Sequence, residues 1–115
     1  MDHAKVILRL KKTILYTEKA LDNYPKKEYI LRNRISDTFF SILENSFYLY
    51  SLKDKKEQIN GIKKILSEIR LLDFYLQIAL DKMLVSRKKL KNICLNLRDI
   101  TSMYYGWITY IEKKI

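Results

Sequence analysis

The chain has 115 residues, of which 48% are hydrophobic, and it contains two glycines and one proline. Its length fits a single domain, 1–115, and its few turn-forming residues argue against a sheet-rich fold, so an all-helical protein is expected. No stretch approaches the ~20 apolar residues that a membrane span needs. The 23 basic and 13 acidic residues give a net charge of +10, and such an excess favours a polyanionic partner.

The N-terminus and the rare reactive side chains argue against several kinds of site. The first five residues have no basic lead before an apolar segment, so we predict no secretion signal and a cytoplasmic protein. Cys94 is the single cysteine and lies beside apolar residues, which indicates a small buried side chain. His3 is the only histidine and stands near an end expected to be loose. We therefore predict no metal, no cofactor and no catalytic activity.

The first helix is predicted from Ala4 to Leu21. Residues three and four apart form its apolar face: Val6, Leu10, Ile14, Thr17 and Leu21. A line on the far side is basic and includes Tyr16: Lys5, Arg9, Lys12 and Lys19. Such a line is either a solvated surface or a binding surface. The segment Asp22-Asn23-Tyr24-Pro25 predicts a tight corner between antiparallel helices, because proline disfavours helix in the residue before it.

The second helix is predicted from Pro25 to Lys53 and has two apolar seams. The first seam predicts the core face: Leu31, Ile35, Phe39, Ile42, Ser46 and Leu49. The second seam lies on another side: Phe40, Leu43, Phe47 and Tyr50. One seam is enough for a lone bundle, so two indicate either a broad core or a surface that another copy covers. We predict that an oligomer interface contains four aromatic residues: Phe40, Phe47, Tyr50 and Tyr105.

A charged corner, Lys53 to Glu57, precedes the third helix, which is predicted to end near Met83. Its inward residues repeat the helical spacing: Ile59, Ile62, Leu66, Ile69, Leu76 and Leu80. Gly61 in its first turns costs about 1 kcal/mol relative to alanine and predicts a fraying end. Asp73 falls within the inward arc and is expected to pair with a cation of a neighbouring helix. A further basic line has seven-residue spacing: Lys56, Lys63 and Arg70.

The fourth helix is predicted from Ser86, a favourable N-cap, to Ile115. Its apolar seam is the longest: Leu90, Ile93, Leu97, Ile100, Tyr104, Trp107 and Ile111. We interpret Trp107 as a core anchor, with Gly106 letting a neighbouring backbone come close. A second line on this helix is basic: Arg87, Lys91 and Arg98, followed by Tyr105. Phosphate contacts are predicted at six residues: Lys26, Lys27, Arg34, Arg87, Lys91 and Arg98.

Several short motifs in this order resemble a known family. They are Pro25-Lys26-Lys27, Phe74-Tyr75-Leu76 with Ala79, Ser86 at a helix start, and Asp99-Ile100 before Gly106-Trp107-Ile108. The chain resembles the four-helix bundle proteins that include the accessory variability (Avd-like) proteins of diversity-generating retroelements, a group similar to proteins encoded in ribosomal-RNA intervening sequences. It departs from their pattern at four positions: Gln77, Ser102, Tyr105 and Thr109.

The resemblance implies an antiparallel up-down four-helix bundle that assembles into a homopentamer with a basic surface. It also implies that the chain binds a reverse transcriptase and nucleic acid, RNA or DNA, and supports mutagenic copying of a template repeat. The alternative is a homo-oligomeric protein-interaction scaffold that binds no nucleic acid. A basic face would favour the first hypothesis, and an exposed apolar stripe would favour the second.

Overall fold

A computed structural model describes residues 3–21 and 24–114, which contain four long helices and no strand. The elements are α1 (His3–Ala20), a 3-10 turn (Lys26–Glu28), α2 (Tyr29–Ser51), α3 (Lys55–Asp81) and α4 (Arg87–Glu112). The predicted all-α fold is therefore confirmed. Predictions that fall on Met1, Asp2, Asp22, Asn23 and Ile115 lie outside the described residues.

The helices form a closed ring in the order α1, α2, α3, α4, and α4 also packs against α1. Polar contacts show that neighbours run antiparallel: Tyr16 of α1 bonds Asn92 of α4, whereas the earlier Arg9 bonds the later Asp99. The ring leaves α1 diagonal to α3, and α2 diagonal to α4. The bundle measures 48 × 23 × 20 Å, and the predicted up-down arrangement is confirmed.

The core runs along the bundle axis and takes side chains from every helix. Phe39 and Tyr104 are its two largest fully buried side chains. The hydroxyls of Ser46 and Tyr104 hydrogen-bond across the diagonal from α2 to α4. His3 Nε2 donates to the Ser46 carbonyl oxygen at 2.7 Å, and His3 is only 4% exposed. The prediction that His3 lies in a poorly ordered end is wrong, because its ring packs against Tyr50 and Trp107.

Two helix starts differ from the sequence prediction and one agrees with it. The second helix begins with a 3-10 turn after Pro25, and α-helix begins only at Tyr29. The predicted charged corner is mostly helical, because Asp54 caps α3 by accepting from the Glu57 backbone N–H at 3.0 Å. Ser86 caps α4 as predicted, accepting from the Lys89 backbone N–H at 3.2 Å.

Trp107 lies at the rim of the core instead of inside it. It is half-buried and stacks near Tyr104 with ring centroids 6.2 Å apart, while Ile108 takes the buried position. The close approach expected at Gly106 is absent, since no other described helix comes within 4 Å of where a β-carbon would stand. Gly61 is the glycine that permits close packing, because a β-carbon there would lie 2.6 Å from Leu49 Cδ2.

Replacement by alanine should therefore have different effects on stability at the two glycines. Gly106→Ala is expected to raise the free energy of unfolding by about 1 kcal/mol, since alanine favours a helix interior and the space is open. Gly61→Ala should leave the free energy of unfolding unchanged or lower it. The added methyl group would force the Leu49 side chain to move, and Leu49 is buried at 1% exposure. Urea denaturation of both variants measures the difference. A larger gain for Gly61→Ala than for Gly106→Ala would contradict the packing described for α2 and α3.

The turn between α3 and α4 places Met83 in the left-handed conformation, with φ at 60°. The Leu84 N–H donates to the Ala79 carbonyl and the Met83 N–H to the Leu80 carbonyl, which is a Schellman motif. Glycine is the usual residue at this position because it has no β-carbon to strain. The Met83 side chain is 90% exposed and so contributes little packing.

Met83→Gly is accordingly expected to stabilise the protein by about 0.5–1 kcal/mol, because relief of the left-handed strain exceeds the loss of backbone entropy. Thermal melting should show a rise of a few degrees. Met83→Ala keeps a β-carbon and serves as the control, with an unchanged midpoint. Equal effects of the two substitutions would rule out backbone strain as the cause.

Candidate nucleic-acid interface

Basic side chains from α3 and α4 lie along one side of the bundle. The two helices face each other at Asp73 and Cys94, where Cys94 Sγ donates to Asp73 Oδ1 at 3.5 Å. Arg70 is one helical turn from Asp73, and Arg98 is one turn from Cys94, so antiparallel packing places these arginines at the same level. We call this surface the basic face and define it by six exposed residues: Lys56, Lys63, Arg70, Arg87, Lys91 and Arg98.

Asp73 does not pair with a cation as predicted. It is exposed and accepts the Cys94 thiol, so the interaction expected for an inward carboxylate is absent from the described structure. Burial raises the pKa of Cys94 to about 11, the Asp73 hydrogen bond and charge add to the rise, and Arg98 opposes it. The thiol is therefore protonated at neutral pH, which disfavours a nucleophilic role.

The positive charge of the basic face is not neutralised by ion pairs. Within the described ranges, the ion pairs are Arg9 with Asp99 at 2.6 Å and Lys82 with Glu28 at 3.0 Å. Asp99 follows Arg98 directly, yet one residue turns a helix by about 100°, which directs Asp99 toward α1. Three acidic residues lie on or beside the face, Asp73, Asp81 and Glu112, which is fewer than its six cations.

The structure divides the six residues predicted to contact phosphate into two groups. Arg87, Lys91 and Arg98 are exposed along the α4 side of the basic face. Lys26 and Lys27 lie at the end of the bundle, in the 3-10 turn whose Glu28 pairs with Lys82, the residue that caps the C-terminus of α3. Arg34 is exposed on α2, which is diagonal to α4. The six residues therefore do not form one continuous contact surface.

A second distinctive surface lies between α1 and α2, on the opposite side of the bundle from the basic face. Its large apolar side chains are between 41% and 60% exposed, and we call it the apolar face: Leu8, Leu15, Phe40, Phe47 and Tyr50. Leu8, Phe47 and Tyr50 line a shallow cleft. Tyr105 does not belong here, because it follows Arg98 by seven residues and continues the line of the basic face. The four residues predicted as one interface are thus on two opposite faces.

Four residues of this surface were not assigned to it from the sequence: Lys56, Lys63, Arg70 and Phe74. The signal for the three cations was present, since seven-residue spacing keeps them on one helical line. Phe74 is 64% exposed and follows Arg70 by four residues, so it stands on the same flank of α3. The sequence analysis named Phe74 only in the motif Phe74-Tyr75-Leu76, and the packing of α3 beside α4 is what shows that its ring stands next to the cations.

Other classes of site find no support in the described part of the chain. No helix there is long and apolar enough to cross a bilayer. No group of three or more histidine, cysteine or acidic residues is arranged to hold a metal ion across 3–21 and 24–114. Comparison of the chain with protein-family models, with curated proteins and with solved structures finds no match.

Proposed function

We propose that this protein binds nucleic acid through the basic face without catalysing a reaction. The observation that carries the proposal is a row of exposed cations along two adjacent helices, with no ion pair to any of them among the described residues. Phosphate contacts release condensed counterions, so a row of lysine and arginine supplies affinity without reading sequence. Binding should therefore be strong at low salt and weakly selective.

The α3 and α4 surface is a better candidate than the basic line of α1. Arg9 in that line donates to Asp99, and Tyr16 accepts from Asn92, so part of the α1 surface is occupied by contacts to α4. Lys26 and Lys27 lie at the bundle end toward which Arg87 also lies. They extend the positive potential at that end and form an auxiliary contact.

The cellular role that we infer rests on the resemblance to Avd-like proteins. In that role the chain is an accessory protein of a diversity-generating retroelement in the cytoplasm. It holds RNA or DNA on the basic face while it binds a reverse transcriptase. The apolar face would then be covered by neighbouring subunits of a homopentamer, leaving the opposite, basic side open. This arrangement accounts for an apolar and a cationic surface on one small bundle.

The second candidate function is a homo-oligomeric scaffold that binds no nucleic acid. The apolar face favours it, because exposed side chains such as Phe47 and Tyr50 form a cleft that a partner helix can fill. In this case the net charge of +10 would serve only solubility. The two functions share the oligomer and differ in whether RNA binds.

Filter binding of a labelled RNA at two salt concentrations, together with light scattering, separates the two candidates. The nucleic-acid function predicts retention at ~0.05 M salt that falls steeply toward ~0.2 M. The scaffold predicts a stable multiple of the 13.9 kDa chain mass with no RNA retained at either salt. A monomer that retains no RNA would exclude both.

A further inference from the structure

We propose that the basic face takes single-stranded nucleic acid and stacks unpaired bases on Phe74 and Tyr105. This inference rests on the proposed function and adds the class of ligand. Phe74 is 64% exposed and Tyr105 is 47% exposed, although both belong to helices with well-formed apolar seams. Exposed rings set among cations match the stacking platforms that hold single strands, where each base offers a face to an aromatic side chain.

The two rings are spaced along the face. Because Asp73 contacts Cys94, the next residue of α3, Phe74, lies near the level of Cys94 on α4. Tyr105 lies farther along α4, near the level of Lys63 on α3. The separation along the axis is roughly 18 Å at a rise of ~1.5 Å per residue. At ~3.4 Å per stacked nucleotide, this gap holds about five nucleotides. Arg70 and Arg98 lie between the rings, where the phosphates of such a strand would pass.

A duplex uses this surface less well. Its bases are stacked inside, so Phe74 and Tyr105 would meet only sugars and phosphates, and the side of a bundle has no projecting element to enter the major groove. A single strand satisfies both features of the face, because its phosphates meet the cations and its bases cover the rings.

A second copy of the chain is a weaker occupant than nucleic acid. Two basic faces brought together would oppose like charges, which disfavours association. The apolar face, with side chains such as Phe47 and Leu15, is the surface suited to self-association. The rings on the basic face therefore have a different use from those on the apolar face.

Affinity measurements on three strands of equal length test the inference: a single strand, an abasic single strand and a duplex. Each is made as RNA and as DNA, except the abasic strand, which is DNA, and binding is followed by fluorescence anisotropy at two salt concentrations. The variants are Phe74→Ala and Tyr105→Ala, with Tyr48→Ala as the matched control, because Tyr48 is 62% exposed and lies on α2. Circular dichroism melting establishes that each variant is folded.

Either ring variant should weaken binding of the base-containing single strand by at least about fivefold, with an unchanged salt slope, since no phosphate contact is lost. Their affinities for the abasic strand and the duplex should equal those of the unaltered chain. The inference is overturned if Phe74→Ala and Tyr105→Ala bind the single strand as tightly as Tyr48→Ala does, or if duplex binds more tightly than single strand. In both outcomes salt-dependent binding remains, whereas failure of the proposed function itself appears as no binding of any strand.

Discussion

Replacing Arg87, Lys91 and Arg98 together by glutamate is expected to weaken RNA binding by about 50-fold or more at ~0.15 M salt. Each phosphate contact on a single strand contributes about −0.7 to the slope of log K against log salt, so three lost contacts flatten the slope by about 2. The three side chains are exposed and make no ion pair with the described residues, so the fold should tolerate the change. Binding isotherms at four or five salt concentrations measure both quantities.

The control must carry the same change in net charge at another place. Lys12, Lys53 and Lys64 are exposed and lie outside both the basic face and the apolar cleft, so their replacement by glutamate is matched in charge. This control should lose only the long-range part of the attraction, which is screened beyond about 8 Å at physiological salt. If the control loses as much affinity as the face variant, net charge alone explains binding and the basic face is not the site.

Much of the fold follows from the helical period in the sequence. The buried residues of α2 agree with its first predicted seam, because residues three and four apart must share a side of a helix. The cap at Ser86 was predictable for a similarly local reason, since its side chain reaches the Lys89 N–H. These features depend on neighbours in the chain and require no knowledge of the tertiary arrangement.

The features that sequence reasoning missed depend on how helices are placed in the ring. Trp107 and Ile108 are both apolar and adjacent, and a turn of about 100° decides which one is buried. His3 is buried because its ring meets Tyr50 and Trp107, residues that are distant in the chain. The basic face has the same origin, since a line of cations on α3 and a line on α4 become one surface only when the helices pack side by side.

This placement gives the bundle two dissimilar sides. Leu8 and Phe47 belong to an exposed apolar surface between α1 and α2, while Arg70 and Arg98 belong to the cationic surface between α3 and α4. Because the ring order sets these helix pairs opposite each other, a partner that covers the apolar face leaves the basic face accessible. The proposed assembly and the proposed nucleic-acid binding would therefore use separate surfaces.

Tyr104→Ala is expected to lower the free energy of unfolding by about 3–5 kcal/mol, as for other large aromatic side chains removed from a core. Tyr104 is fully buried and its hydroxyl pairs with Ser46 across the bundle. Typical domains have a total stability of about 5–15 kcal/mol, so this loss threatens folding itself. Urea denaturation, with thermal melting in parallel, measures it.

The adjacent Tyr105 is the matched control for this substitution. Tyr105→Ala should change stability by less than about 1 kcal/mol, because the side chain is 47% exposed. Tyr104→Phe keeps the ring and should cost about 1 kcal/mol, since Ser46 Oγ still donates to the Ile42 carbonyl at 2.7 Å. If Tyr104→Ala and Tyr105→Ala melted alike, α4 would be rotated from the orientation described, and Arg98 and Tyr105 would no longer belong to the surface proposed to hold a single strand.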